Sequence, residues 1–195
     1  MLDEGLTVIR RMFADDDPAF AGEHYSIEGA FNEPKPLQDP YPPVLIGGGG
    51  AKMLRLTAKY ADEWNVEISG RNRGPPVGFK PEKLDEFLRE EGRDPDSVER
   101  SWLGHVLVRE TDAEVAAACE EIFPLPWGEE EDIDEQLTAG NAWEKGQMLI
   151  GTPAEVAERI KHVRGLKVEK LQRIFLDYPD TRGIELLGDE VTPAF

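Results

Sequence analysis

Four apolar positions open the chain at helical spacing. Leu2, Leu6, Ile9 and Phe13 step by four, three and four, which lays one stripe along an amphipathic helix. The stretch 15–41 is rich in proline, glycine and aromatic residues. It predicts an excursion with a short hairpin around His24, Tyr25, Ser26 and Ile27. An apolar run at 44–46, bounded by Pro42, Pro43 and Gly47, predicts the first core strand. Two adjoining apolar rows, Met53/Leu56/Tyr60 and Leu54/Ala58/Ala61, then predict a helix over 51–62. Trp64, Val66 and Ile68 alternate with Asn65, Glu67 and Ser69, which is the period of a strand.

The pattern repeats further on. Pro81 in a first turn, Leu84 and Leu88 four apart, and Gly92 as a stop predict a helix over 81–91. A strand is expected at 102–108. The capping box Thr111-Asp112-Ala113-Glu114 then opens a helix with Val115, Ala118, Cys119 and Ile122 on its apolar side. Residues 124–148, with two prolines, two tryptophans and an acidic run, read as an irregular insertion. A second capping box, Thr152-Pro153-Ala154-Glu155, starts a helix lined by Val156, Ile160 and Val163 and ended by Gly165. A last strand is expected at 171–176 and a short helix around 184–187. Strand and helix alternate four times after an opening helix, which implies an α/β fold with a parallel sheet and right-handed crossovers. At 195 residues the chain is expected to form a single domain.

Composition narrows the function classes. Forty acids against 22 bases give a net charge of −18, a poor surface for nucleic acid. The acids are spread along the chain, a coat that suits a halophilic protein, whose acidic surface is screened by salt. No apolar run approaches the ~20 residues of a membrane span. The start of the chain has neither the basic opening nor the apolar run of a signal peptide, so a cytoplasmic location is expected.

The most informative run is Val44-Leu45-Ile46-Gly47-Gly48-Gly49-Gly50 followed at once by a helix. A strand ending in four glycines before a helix start presents bare N–H groups and the positive end of a helix dipole to an anion. A basic loop, Ser69-Gly70-Arg71-Asn72-Arg73, could clamp a second anionic group. The histidines promise less. His24 belongs to the hairpin, His105 lies mid-strand as a packed or hydrogen-bonded group, and His162 sits on a solvated helix face. Cys119 reads as a small buried hydrophobe. No cluster of histidine, cysteine and acid has metal spacing, so no metal site is expected. No catalytic residue is assigned.

Four segments together resemble the luciferase-like monooxygenase family, in particular its branch that uses coenzyme F420. They are Phe20-Ala21-Gly22-Glu23-His24-Tyr25 with Pro34-Lys35-Pro36-Leu37-Gln38, the run from Pro42 to Gly50, the run from Leu54 to Asn65, and the run from Gly151 to Ile160. The resemblance implies a (β/α)8 TIM barrel, with 44–46, 64–69, 102–108 and 171–176 as strands five to eight. Four strands cannot close such a ring, so a partial barrel is expected.

The resemblance further implies an oxidoreductase or monooxygenase that binds coenzyme F420, with FMN as the alternative, and a small-molecule substrate. The cofactor-binding positions would be Ile46, Gly47, Gly48, Gly49, Gly50, Ser69, Gly70 and Arg71. Arg109, Asp177 and Tyr178 would also stand at the strands' carboxyl ends. As a half-barrel the chain is expected to need a partner, either a copy of itself as a homodimer or a complementing N-terminal half chain. The alternative is a non-catalytic remnant or interaction module that binds a phosphate-bearing ligand weakly or not at all. A third reading is a start codon assigned too late, since Met1 falls at a helix start with no cap before it.

Overall fold

The computed structural model describes residues 1–67, 81–122, 148–165 and 167–195. Helix α1 (Leu2–Ala14) opens the chain as its stripe predicts. A two-stranded antiparallel hairpin, β1 (Phe20–Ala21) and β2 (Ser26–Ile27), follows. The Glu4 carboxylate clamps its turn by accepting N–H groups from Glu23, His24 and Tyr25 at 3.1, 2.8 and 3.1 Å. Gly22 is required here, because a Cβ would run into that carboxylate.

The main sheet has five parallel strands: β3 (Leu45–Gly47), β4 (Glu63–Glu67), β5 (Glu99–Val108), β6 (Met148–Gly151) and β7 (Lys170–Phe175). Helices α2 (Ala51–Tyr60), α3 (Pro81–Glu90), α4 (Asp112–Ile122) and α5 (Pro153–Gly165) alternate with them. Helix α6 (Arg182–Leu186) and two further turns finish the chain. The second capping box forms: the Thr152 N–H donates to Glu155 Oε2 at 2.8 Å.

One strand was not expected. β6 starts at Met148, the last residue of the insertion read from the sequence; the rest of that insertion lies outside the described residues. β5 pairs with β4 over Glu99–Leu103, with β6 over His105–Val108, and with β7 over Ser101–Val106. A strand has two edges, and the β7 span overlaps the other two. So β4 and β6 share one edge of β5, end to end, and β7 takes the other.

The chain therefore steps back from β5 to β6, then forward across β5 to β7. Right-handed crossovers put a helix on opposite faces for opposite steps. The cores agree. Helices α2, α3 and α5 pack Leu54, Leu84, Leu88, Val156 and Ile160 with Trp64, Val66, Val106 and Val108 on the outer face. Helix α4 instead packs Val115 and Cys119 on Leu107 and Ile150, which point the other way. Helix α1 seals the β3 end, with Leu6 on Ile46, Tyr60 and Ala61.

The sheet is open. β3 pairs only with β4, and β7 only with β5, among the described residues. No helix among them is long and apolar enough to cross a membrane.

Candidate functional site

The carboxyl ends of β3, β4, β5 and β7 converge on one rim. At its β3 corner, Gly47 lies opposite Asn65, and the chain turns at Gly48 with φ +111° into Gly50, the N-cap of α2. Two bonds from β4 fix this turn. The Trp64 indole N–H donates to the Gly48 carbonyl at 2.8 Å, and the Gly48 N–H donates to the Asn65 carbonyl at 3.1 Å. Gly47, Gly48 and Gly50 are exposed. A Cβ at Gly50 would meet nothing within 4 Å, so the approach to the helix start is clear.

Helix α2 has no side-chain cap and no acid in its first turn, while Lys52 stands in that turn. Its first N–H groups and its dipole are left for an anion from outside. Ile46 differs from the glycines. Its side chain is buried against Leu6 and Tyr60, so it offers the rim only backbone. Ser69, Gly70 and Arg71 lie outside the described residues.

Below the rim, the inner face of the sheet carries a closed polar network. Asn65 Nδ2 donates to Ser101 Oγ at 2.8 Å and to Gln172 Oε1 at 3.2 Å. Ser101 Oγ donates to Glu63, which also accepts from Lys170 Nζ at 2.6 Å. Burial pushes the Glu63 carboxyl up, but the bonds from Lys170 and Ser101 outweigh it and hold the group below its usual range. Higher on the same face, His105 lies opposite Ile174, and its buried Nδ1 has no hydrogen-bond partner. The sequence placed His105 mid-strand, as found. It could not show that the network below is self-satisfied and leaves this imidazole out.

Arg109 and Asp177, read from the sequence only as separate rim positions, come together. Arg109 Nη1 lies 2.6 Å from Asp177 Oδ2, with the Asp177 side chain only 3% exposed. Asp177 packs under Gly183, where a Cβ would stand 2.7 Å from Oδ2. The pair ties the ends of β5 and β7 to the start of α6. Tyr178, next to it, is exposed. Cys119 is buried as expected, and burial pushes its thiol up, against a smaller pull from Arg109. Glu4, Glu23 and His24 are the described metal-capable side chains that gather, within 4.8 Å of one another. Glu4 is already occupied by three backbone donors, which makes this a turn clamp.

The family model for luciferase-like monooxygenases matches residues 1–170. The chain belongs to the luciferase-like monooxygenase family. Among curated relatives, this family member is similar to the FMNH2-dependent dimethylsulfone monooxygenase of Pseudomonas putida. They are 24% identical over 98% of this chain and 56% of the relative. Its fold is shared with the coenzyme F420-dependent tetrahydromethanopterin reductase of Methanopyrus kandleri. That match has a TM-score of 0.69 at 19% identity and covers 100% of this chain and 62% of the reductase. An F420-dependent secondary alcohol dehydrogenase in complex with an F420–acetone adduct matches with a TM-score of 0.71 at 20% identity, over 100% and 61%. The chain thus spans little more than half the length of the curated relative and about three fifths of these two structures.

Proposed function

We propose that this luciferase-like chain forms the coenzyme-phosphate side of an F420- or FMN-dependent oxidoreductase site. The observation that carries the reading is the uncapped start of α2 behind exposed glycines, held in place by Trp64. In this reading Gly47, Gly48, Gly49, Gly50 and the backbone of Ile46 hold the phosphate and the tail beside it. Lys52 adds charge, and Ser69, Gly70 and Arg71 belong to the same seat. His105, at the inner face below the rim, hydrogen-bonds the substrate or the reacting end of the coenzyme. When bound, the coenzyme supplies the hydride or oxygen chemistry, and the protein supplies position and electrostatics.

The chain works in this reading as part of a barrel that another polypeptide completes. A parallel sheet is normally covered on both faces, and a free edge is a pairing site. The two most exposed large apolar residues of the sheet among the described residues, Leu45 at 47% and Ile174 at 45%, stand on β3 and β7, each with a free edge. A titration of the purified chain with F420 and with FMN, followed by coenzyme fluorescence, tests the binding reading. Quenching by one or both supports it. Silence with both overturns it and favours a non-catalytic interaction module.

A further inference from the structure

Arg173 is a half-buried residue whose guanidinium meets no carboxylate among the described residues. It projects from β7 onto the outer face, with its guanidinium carbon 4.4 Å from the centre of the Trp102 ring. Its Nη1 donates to the Trp102 and Gln172 carbonyls at 3.2 and 3.0 Å. Gly104 makes the room, since a Cβ there would stand 3.3 Å from Nη1. Nε and Nη2, the two donors of the side-on fork that fits a carboxylate, are buried and have no hydrogen-bond partner.

Burial pulls the Arg173 pKa down to about 10, so the group is still charged at neutral pH. Withdrawing the donors of a charged group from water with no counter-charge beside them is unfavourable. Two buried arginines at the same sheet are handled differently. Arg100 holds Asp85 and Arg109 holds Asp177. Arg173 has no such partner among the described residues.

We propose that the Arg173 fork seats a carboxylate from the strand that completes the sheet along the free edge of β7. A neighbouring strand puts a same-face Cβ about 5 Å from the Arg173 Cβ, and since the guanidinium leans over Trp102, the longer Glu side chain is the better fit. The occupant is a different polypeptide segment and not a second copy of this chain joined edge to edge. The strands with a free edge among the described residues, Leu45–Gly47, Met148–Gly151 and Lys170–Phe175, contain no acid to offer. The inference rests on the proposed completion of the sheet and adds what the completing strand must carry.

Acetate serves as the probe carboxylate. Melting temperatures are measured in sodium acetate and in sodium chloride at equal concentration and pH 7, for the wild type, Arg173→Met and Arg173→Lys. The wild type is expected to melt several degrees higher in acetate. Arg173→Met should lose that gap and melt above the wild type in chloride, because the uncompensated charge is gone. Arg173→Lys keeps the charge without the planar fork and should also lose the gap. No gap in the wild type, or a gap that persists in both variants, overturns the seat. An equal, Arg173-dependent gain in sodium phosphate overturns the carboxylate in favour of a general oxyanion site. Light scattering on the same samples reads the completion separately. A stable dimer of the chain alone that Arg173→Met dissociates would make the occupant a second copy and overturn the proposal, while coenzyme binding at the glycines would be unaffected.

Discussion

Gly48 holds a backbone conformation that side-chain-bearing residues rarely adopt, with φ +111°, and its neighbour Gly50, at φ −72°, does not. The two therefore separate conformational need from ligand access. Gly48→Ala is expected to cost about 1–3 kcal/mol of stability. Gly50→Ala, with open space around its Cβ, should cost under about 1 kcal/mol. Urea denaturation of both variants checks the difference; equal losses would contradict the role given to the turn. Glu63 sets a pH dependence. Its folded carboxyl lies below the ordinary glutamate value of 4.5. The ionised form is thus favoured by folding, and this contribution is present above that value and lost as pH falls through the folded pKa. Urea midpoints should fall below pH 4.5 in the wild type and fall less in Glu63→Gln. A parallel decline in both proteins would remove Glu63 as a cause.

Helix α3 is joined to β5 by a buried pair as well as by its leucines. Arg100, 1% exposed, holds Asp85 at 2.5 Å. Asp85→Ala leaves a buried guanidinium without its carboxylate and should lose about 3–5 kcal/mol. Asp85→Leu combined with Arg100→Met should recover most of that loss. Equilibrium unfolding of the single and double variants decides it, and a loss below about 1 kcal/mol in Asp85→Ala would place the pair outside the core's energetics. Most elements were legible because their signals are local. The stripe of α1, the glycine stop after α3 and the box before α5 each depend on neighbours a few residues apart. β6 was not legible. Four residues, Met148 to Gly151, carry no period, and their pairing with the upper half of β5 is set by tertiary contacts. The backward step to β6 also moves α4 to the inner face, which no helical pattern reveals. At the site, the four glycines announced a ligand, while the Trp64 bond to Gly48, the Arg109–Asp177 pair and the unpartnered Nδ1 of His105 each join residues distant along the chain.

The molecule is acidic, and its described residues form an open, parallel sheet with an exposed glycine corner. A net charge of −18 repels itself, and salt screens that repulsion. The melting temperature should rise between low and molar KCl, and a flat profile would count against a salt-adapted surface. The central claim is that the start of α2 is a phosphate seat for a flavin-type coenzyme. The most direct measurement follows the backbone amide resonances of Gly48, Gly49, Gly50 and Ala51 while FMN is added, with riboflavin, which lacks the phosphate, as the comparison. The account predicts progressive shifts at these amides with FMN and much smaller ones with riboflavin. Unmoved glycine amides, or equal shifts with the two compounds, would contradict it.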